Sequence, residues 1–146
     1  MHRNGKLIFA AALLALLPLA LGVEGTPQRG KPAYDPGTET TIEGVVTEKI
    51  SVPWDGSECW GGEHLIVKTD AETIEVHVGP TWFLAREGFL AEIGERISVT
   101  GSRIRVHGRD VLITRLMRKG GRELKVRNER GQPAWKRKPA RSGQPA

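Results

Sequence analysis

The sequence EHLIVKTDAETIEVHV, residues 63–78, predicts two β-strands joined by a tight turn. Two alternating, β-branched runs flank the polar pair Asp70-Ala71, which is the pattern of a β-hairpin. When those two residues form the loop, each residue of the first strand has a defined partner on the second. The apolar facing pairs on one side are Leu65–Val76 and Val67–Ile74.

The opposite side of this hairpin is predicted to be an outer face that carries two histidines. The facing pairs on this side are His64–His77, Ile66–Glu75 and Lys68–Thr73. A slip of one residue would place apolar side chains opposite polar ones, so the pattern favours this register. The hairpin therefore has a core face and an outer face with a cross-strand histidine pair.

Residues 1–22 form a predicted signal peptide. A basic N-terminus precedes an uncharged run of 16 residues (7–22), and Ala20 and Gly22 are small residues placed for cleavage after Gly22. The uncharged run is shorter than the ~20 residues that a spanning helix needs, so cleavage is favoured over a retained anchor. We expect a periplasmic or secreted protein with no membrane span after cleavage.

Cysteine use and charge limit the kinds of protein that this chain can be. Cys59 is the only cysteine, so the domain has no internal disulfide and depends on its core for stability. Residues 34–114 carry 14 acidic and 7 basic side chains, whereas residues 115–146 carry 11 basic and 2 acidic ones. The basic end is either a solvated extension or a segment that binds an anionic partner.

The predicted domain lies between two polar segments. Residues 23–40 are rich in Gly, Pro and Thr and form a linker, and residues 128–146 form a basic, flexible C-terminal tail. Between them, residues 41–127 contain a long strand, the central hairpin, a short helix, a second hairpin and a short sixth strand. We therefore predict one all-β domain of five or six strands.

The order of these elements predicts a small Greek-key barrel, the OB-fold. Gly44 lies within the long first strand, where it marks a bulge or a sharp coil, and a short helix over residues 81–87 separates strands three and four. Large apolar residues in and after this helix are expected to plug an open end of the barrel. These residues are Trp82, Phe83, Phe89, Leu90 and Ile93.

Four stretches within residues 38–135 carry a resemblance to known proteins. The stretches are GGEHLIVKT (61–69), EVHVGPTWFLAREGF (75–89), GERISVTGSRIRV (94–106) and LKVRNERGQPAW (124–135). They resemble a family of exported bacterial OB-fold proteins, namely the domain of MamS/MamX-type magnetosome-associated proteins and, more loosely, periplasmic stress-tolerance (BOF) proteins. The resemblance implies a small envelope barrel without established catalytic activity, and it marks His64 and His77 as motif positions. Haem attachment is not supported, because no Cys-x-x-Cys-His run is present.

The histidine pair is a candidate site for a transition-metal ion. Directly opposed residues on antiparallel strands have Cβ atoms about 4.5–5.5 Å apart, so both imidazoles can converge on one ion. Cys59, at the end of the preceding loop, or Glu75, on the same face as His77, would supply a third ligand. The spacing matches no strong metal motif, and two histidines on a half-exposed face also occur without a ligand.

An anionic ligand is the second candidate, since OB-folds commonly bind nucleic acids or sugars on strands two and three. Trp54 and Trp60 are available for stacking, and Lys68 lies near Glu75 on the outer face. Nucleic acid is not favoured, because the predicted barrel is acidic and the protein is expected to be exported. The predicted basic patch consists of Arg103, Arg105, Arg109, Lys136, Arg137 and Lys138.

No motif predicts enzyme activity: a nucleophile elbow, a phosphate loop and an HExxH run are all missing from the sequence. We predict a non-catalytic binding or interaction module of the cell envelope, whose partner is an envelope protein or an anionic ligand. The alternatives are a metal-handling or redox-accessory protein and a polyanion-binding protein. The predicted ligand-binding residues are His64, His77, Lys68, Glu75, Trp54 and Trp60.

Overall fold

The computed structural model describes residues 33–53 and 61–136. Six strands and one α-helix lie in these residues, together with two single-turn 3-10 helices at Pro36–Thr38 and Ala134–Lys136. The strands and the helix are, in chain order, β1 (Glu39–Val52), β2 (Gly62–Lys68), β3 (Thr73–Gly79), α1 (Thr81–Glu87), β4 (Arg96–Val106), β5 (Arg109–Lys119) and β6 (Arg122–Lys125).

The strands close into a barrel. Their order in the sheet is β3-β2-β1-β4-β5-β6, and a parallel pairing between β3 and β5 joins the two ends of the five-stranded part. Strand β6 adds to β5 as an extra strand, and α1 lies between β3 and β4 in the chain. This architecture confirms the predicted fold class. Closure pairs strand edges that would otherwise be open to other chains.

The central hairpin has the predicted register. His64 pairs with His77 and Leu65 pairs with Val76. At the turn, the Thr69 amide donates to the Glu72 carbonyl over 2.8 Å. The residues on the predicted core face are all buried, so the alternation of apolar and polar residues selected this pairing.

Strand β1 pairs with two neighbouring strands and coils between the two pairings. Its first half pairs with β4 and its second half with β2, and the register with β2 shifts between Val46 and Glu48. Just before this shift, a Cβ atom on Gly44 would lie 2.3 Å from the Lys68 carbonyl oxygen. The predicted irregularity of strand one is therefore present, and glycine is required by the close approach of two backbones.

Helix α1 packs against the barrel core with only part of the predicted apolar set. Phe83 and Leu84 are buried, and Gly88 ends the helix in the left-handed conformation. Trp82 is 53% exposed and Ile93 is 64% exposed, so the expectation that both pack into the opening is wrong. Successive helical residues point about 100° apart, and a seven-residue helix turns only one face to the core.

Segments on both sides of the barrel fold onto it. The predicted linker includes a 3-10 turn over Pro36–Thr38, where the Asp35 amide donates to Ser102 Oγ over 2.9 Å. The predicted tail continues as an ordered turn through Lys136, and the Trp135 ring lies 5.6 Å from the Phe83 ring. The folded part therefore extends beyond the predicted strands at both ends.

Candidate functional site

The two histidines of the hairpin stack on each other inside the protein. Because His64 and His77 are directly paired on β2 and β3, their rings lie 3.7 Å apart between centroids with an angle of 15°. His64 is 1% exposed and His77 is 2% exposed. The prediction of a half-exposed outer histidine pair is therefore wrong in its burial, although the pair itself is present.

The parallel pairing of β3 with β5 explains this burial in part. It places Ile113 of β5 beside His77 on the same side of the sheet. Ile113 belongs to a second apolar cluster, outside the main barrel core, and Tyr34 of the N-terminal segment packs against that cluster. The other members of the cluster are Val111, Ile104 and Val106. The end of this face that carries the histidines is consequently covered by protein.

Glu75 lies between the two histidines. It is two residues before His77 on β3, so both side chains project from the same face, and it lies diagonally across from His64. One oxygen, Glu75 Oε1, is 2.9 Å from His64 Nδ1 and 3.0 Å from His77 Nε2. Two imidazole nitrogens thus converge on one carboxylate oxygen.

The protonation states at this cluster suit a metal ion. Burial lowers the pKa of His64 to about 4, and the neighbouring His77 acts in the same direction. Burial opposes ionisation of Glu75, yet hydrogen bonds from both histidines hold the pKa of its carboxyl below the ordinary value. At neutral pH the site therefore offers a neutral His64 imidazole and a carboxylate, and an ion would replace the ring protons that the two histidines direct at Glu75 Oε1.

The separations between the Glu75 oxygen and the two imidazole nitrogens also suit one ion. One nitrogen from each histidine and one oxygen of Glu75 all lie within 4.8 Å of one another. Two atoms bound to the same ion at about 2.0–2.1 Å are about 2.9 Å apart at a right angle and about 3.4 Å apart at a tetrahedral angle. The two observed nitrogen–oxygen separations of 2.9 and 3.0 Å fall at the start of that range.

A groove of about 430 Å³ lies beside the cluster, and Glu75 forms part of its wall. The second oxygen, Glu75 Oε2, is 3.7 Å from Arg109 Nη1. Arg109 was predicted only as part of a basic patch. Its approach to Glu75 follows from the parallel pairing of Glu75 with Val111, which local sequence patterns do not reveal.

The arginines of the predicted basic patch do not form an unbalanced positive surface in the groove. Arg103 forms two hydrogen bonds to the Glu72 carboxylate, and Arg105 Nε lies 3.1 Å from Asp110 Oδ1. With Arg109 beside Glu75, each of the three arginines has a carboxylate neighbour. Charge pairing therefore replaces the basic patch that the sequence predicted here.

The other predicted site residues do not join the cluster or lie outside the described residues. Lys68 is exposed at the end of β2 and pairs with Thr73, and Lys136 is exposed in the last 3-10 turn. The residues outside the described part are Trp54, Cys59, Trp60, Arg137 and Lys138. Glu75, one of the two third ligands that the sequence suggested, lies against both histidines, and Cys59, the other, is outside the described residues.

Comparison with known proteins adds one finding. A family model described as the MamS/MamX magnetosome protein family matches residues 38–124. The chain belongs to this family. The MamS/MamX match spans β1 to β5 and contains the histidine pair, Glu75 and Arg109. No curated protein matches the chain.

The MamS/MamX family is not known as enzymatic. Within residues 33–53 and 61–136, no helix has the length and apolar character needed to cross a membrane. The candidate site is a His-Glu-His cluster with both histidines buried, and Glu75 also borders the charge-paired groove.

Proposed function

We propose that this MamS/MamX-family protein is a non-catalytic module of the cell envelope that binds a divalent transition-metal ion through His64, Glu75 and His77. The observation that carries the proposal is the position of Glu75 Oε1, 2.9 Å from one imidazole nitrogen and 3.0 Å from the other. The envelope location rests on the predicted signal peptide.

The ligand set indicates which ions the site would take. Imidazole nitrogens suit zinc, copper, iron and nickel, and two histidines with one carboxylate leave coordination positions open. Such a site differs from a closed, four-ligand structural zinc site, because water or another ligand completes the coordination. The burial of both imidazoles restricts approach to the side of Glu75, whose side chain is 15% exposed.

The test is a titration of the purified full chain with Zn²⁺ and, separately, with Co²⁺, followed by calorimetry and by visible absorption of bound Co²⁺. We expect one ion per chain. Glu75→Gln keeps the size of the side chain but removes the charged ligand. Loss of a residue that only supports a metal ligand weakens affinity by about 10- to 100-fold, so loss of the ligand itself should weaken binding by at least about 100-fold.

Glu72→Gln is the matched control, because Glu72 lies on the same hairpin and also borders the groove but contacts Arg103. It should bind both ions as the parent does. Equal affinity of the parent and Glu75→Gln, or no binding by a folded parent, would contradict the proposal.

The nucleic-acid alternative has no comparable support. Each groove arginine has a carboxylate neighbour, so the groove lacks the uncompensated positive charge that phosphate-backbone binding requires. We therefore propose the metal site as the function and retain no second candidate.

A further inference from the structure

We infer that the groove beside the His-Glu-His cluster binds a small oxyanion, such as phosphate or a carboxylate, and that it does so only when the metal ion is bound. This inference rests on the proposed function, since the ion is part of the anion site. The groove is formed by the β2–β3 hairpin and by the turn end of the β4–β5 hairpin.

The charges of the groove make the anion site conditional on the ion. The charged residues that line it are Glu72, Glu75, Asp110, Arg103, Arg105 and Arg109. Three carboxylates balance three guanidinium groups, so the groove by itself has no formal charge with which to attract an anion. A divalent ion at Glu75 changes this balance to +2 within a partly enclosed space, where charge interactions are stronger than in bulk water.

Glu75 connects the ion to one particular arginine. Its Oε1 faces both histidines, whereas its Oε2 lies 3.7 Å from Arg109 Nη1. An ion at about 2.0–2.1 Å from Oε1 would therefore be no more than about 8 Å from that guanidinium nitrogen. A phosphate or carboxylate group with one oxygen on the ion and another on the guanidinium spans about 7 Å, and a small movement of the exposed Arg109 side chain closes the remaining distance.

Arg109 is also the groove arginine with the weakest hold on its partner. Arg103 forms two hydrogen bonds to Glu72 and approaches Asp110 as well, and Arg105 lies within hydrogen-bond distance of Asp110. The Arg109–Glu75 separation exceeds a hydrogen bond, and the Arg109 side chain is 72% exposed. Because the Arg109 guanidinium is exposed and lies beyond hydrogen-bond distance of Glu75, it can bind an oxyanion with two parallel hydrogen bonds.

Binding of the ion and binding of the oxyanion are thermodynamically linked. If the ion strengthens oxyanion binding by some factor, the oxyanion must strengthen ion binding by the same factor. We expect a coupling factor on the order of 10-fold, within the usual range of 5- to 150-fold. Such coupling distinguishes a shared site from two independent ones.

The experiment measures Co²⁺ affinity of the full chain with and without inorganic phosphate, and phosphate binding to the Co²⁺-loaded protein by broadening of the phosphorus resonance. Free Co²⁺ is removed by gel filtration before the second measurement. We expect phosphate to tighten Co²⁺ binding about 10-fold and the bound Co²⁺ to broaden the phosphate signal. Arg109→Gln should abolish both effects.

The compared quantity is the ratio of affinities with and without phosphate, so any direct effect of Arg109→Gln on Co²⁺ affinity cancels. Arg105→Gln is the matched control, because Arg105 has the same charge and the same exposure but faces Asp110. It should keep most of the coupling.

The outcomes separate this inference from the proposed function. Tight Co²⁺ binding without any phosphate effect would overturn the inference and leave the metal site intact. Equal loss of coupling in Arg105→Gln and Arg109→Gln would overturn the direct contact to Arg109. Phosphate binding of equal strength without Co²⁺ would overturn the dependence on the ion, and failure of Co²⁺ to bind would overturn both proposals.

Discussion

Glu39 shows how a single carboxylate joins three parts of the chain. Arg115 of β5 donates two hydrogen bonds to it, over 2.8 and 2.7 Å, and the Tyr34 hydroxyl donates a third. Arg115 lies where the register between β4 and β5 shifts, so its side chain can turn toward β1. The Arg115–Glu39 ion pair thus connects β1 to β5, and the Tyr34 hydrogen bond attaches the N-terminal segment to the same carboxylate.

Glu39→Gln should reduce the free energy of unfolding by about 1–2 kcal/mol at neutral pH, because it weakens charge-assisted hydrogen bonds. Hydrogen bonding from Arg115 holds the pKa of the Glu39 carboxyl below its ordinary value of 4.5. Its contribution is therefore present above pH 4.5 and is lost as the pH falls through the lowered pKa of the folded state. Chemical denaturation between pH 7 and pH 3 measures this.

Glu43→Gln is the control for this prediction, since Glu43 lies on the same strand and also has an arginine partner, Arg96, at 3.4 Å. Both of those side chains are well exposed, so the substitution should change stability by no more than about 0.5 kcal/mol. A difference between the parent and Glu39→Gln that stays constant down to pH 3 would contradict the assignment.

For single residues, local sequence patterns predicted the position of the candidate site's side chains on the hairpin but not their surroundings. The alternation around residues 64–77 was sufficient to place His64 opposite His77 and Glu75 on their face, because strand periodicity is a local property. It predicted exposure wrongly, because burial of a side chain depends on which distant segment covers it. Arg109 and Ile113 reach the site only through the β3–β5 pairing.

At the scale of the element, β1 depends on a glycine where it leaves β4 and joins β2. Gly44→Ala would place a Cβ atom 2.3 Å from the Lys68 carbonyl oxygen, a backbone atom that cannot move away without disturbing the hairpin. We expect a loss of about 3 kcal/mol or more in the free energy of unfolding, because backbone overlap must be relieved by separating the strands. Urea denaturation measures the change.

Gly37→Ala is the matched control for the Gly44 substitution. Its Cβ atom would lie 3.2 Å from the Asp35 side chain, which can rotate, and Gly37 is exposed. This variant should lose less than about 1 kcal/mol. Equal stability of the two variants would show that close backbone approach does not explain the glycine in β1.

Elements with strong local signals matched the structure closely. Helix α1 begins after Pro80 and ends before Gly88, as their backbone preferences predict. The hairpin turn and the irregularity in β1 also follow from residues within a few positions of each feature. The exposure of Trp82 was not predictable in the same way, since it depends on which helical face meets the barrel.

For the whole molecule, the segment after β6 packs back against helix α1 and the barrel core. The ring centroids of Trp135 and Phe83 lie 5.6 Å apart. The guanidinium carbon of the buried Arg127 lies 4.9 Å from the centroid of the Trp135 ring. Arg127 in turn donates to the Val78 and Thr114 carbonyls. The C-terminal segment is thus attached to β3, β5 and α1 together.

Trp135→Ala should lower the free energy of unfolding by about 2–3 kcal/mol, because it removes a partly buried ring from this junction. Trp82→Ala is the control, since Trp82 also contacts Phe83 but is mostly exposed, and it should change stability by about 0.5 kcal/mol or less. Thermal unfolding of both variants tests this. A larger loss from Trp82→Ala would contradict the described packing.

Local sequence patterns were sufficient to predict the hairpin register, the helix bounds, the barrel class and the facing of His64 and His77, and they left Cys59 and Glu75 open as the third ligand. These features depend on periodicity and on backbone preferences, which act over a few residues. The tertiary structure alone decided the burial of the histidines, the pairing of the groove arginines with carboxylates and the approach of Arg109 to Glu75. Those features depend on the parallel β3–β5 closure, which joins residues more than 30 positions apart and leaves no local pattern.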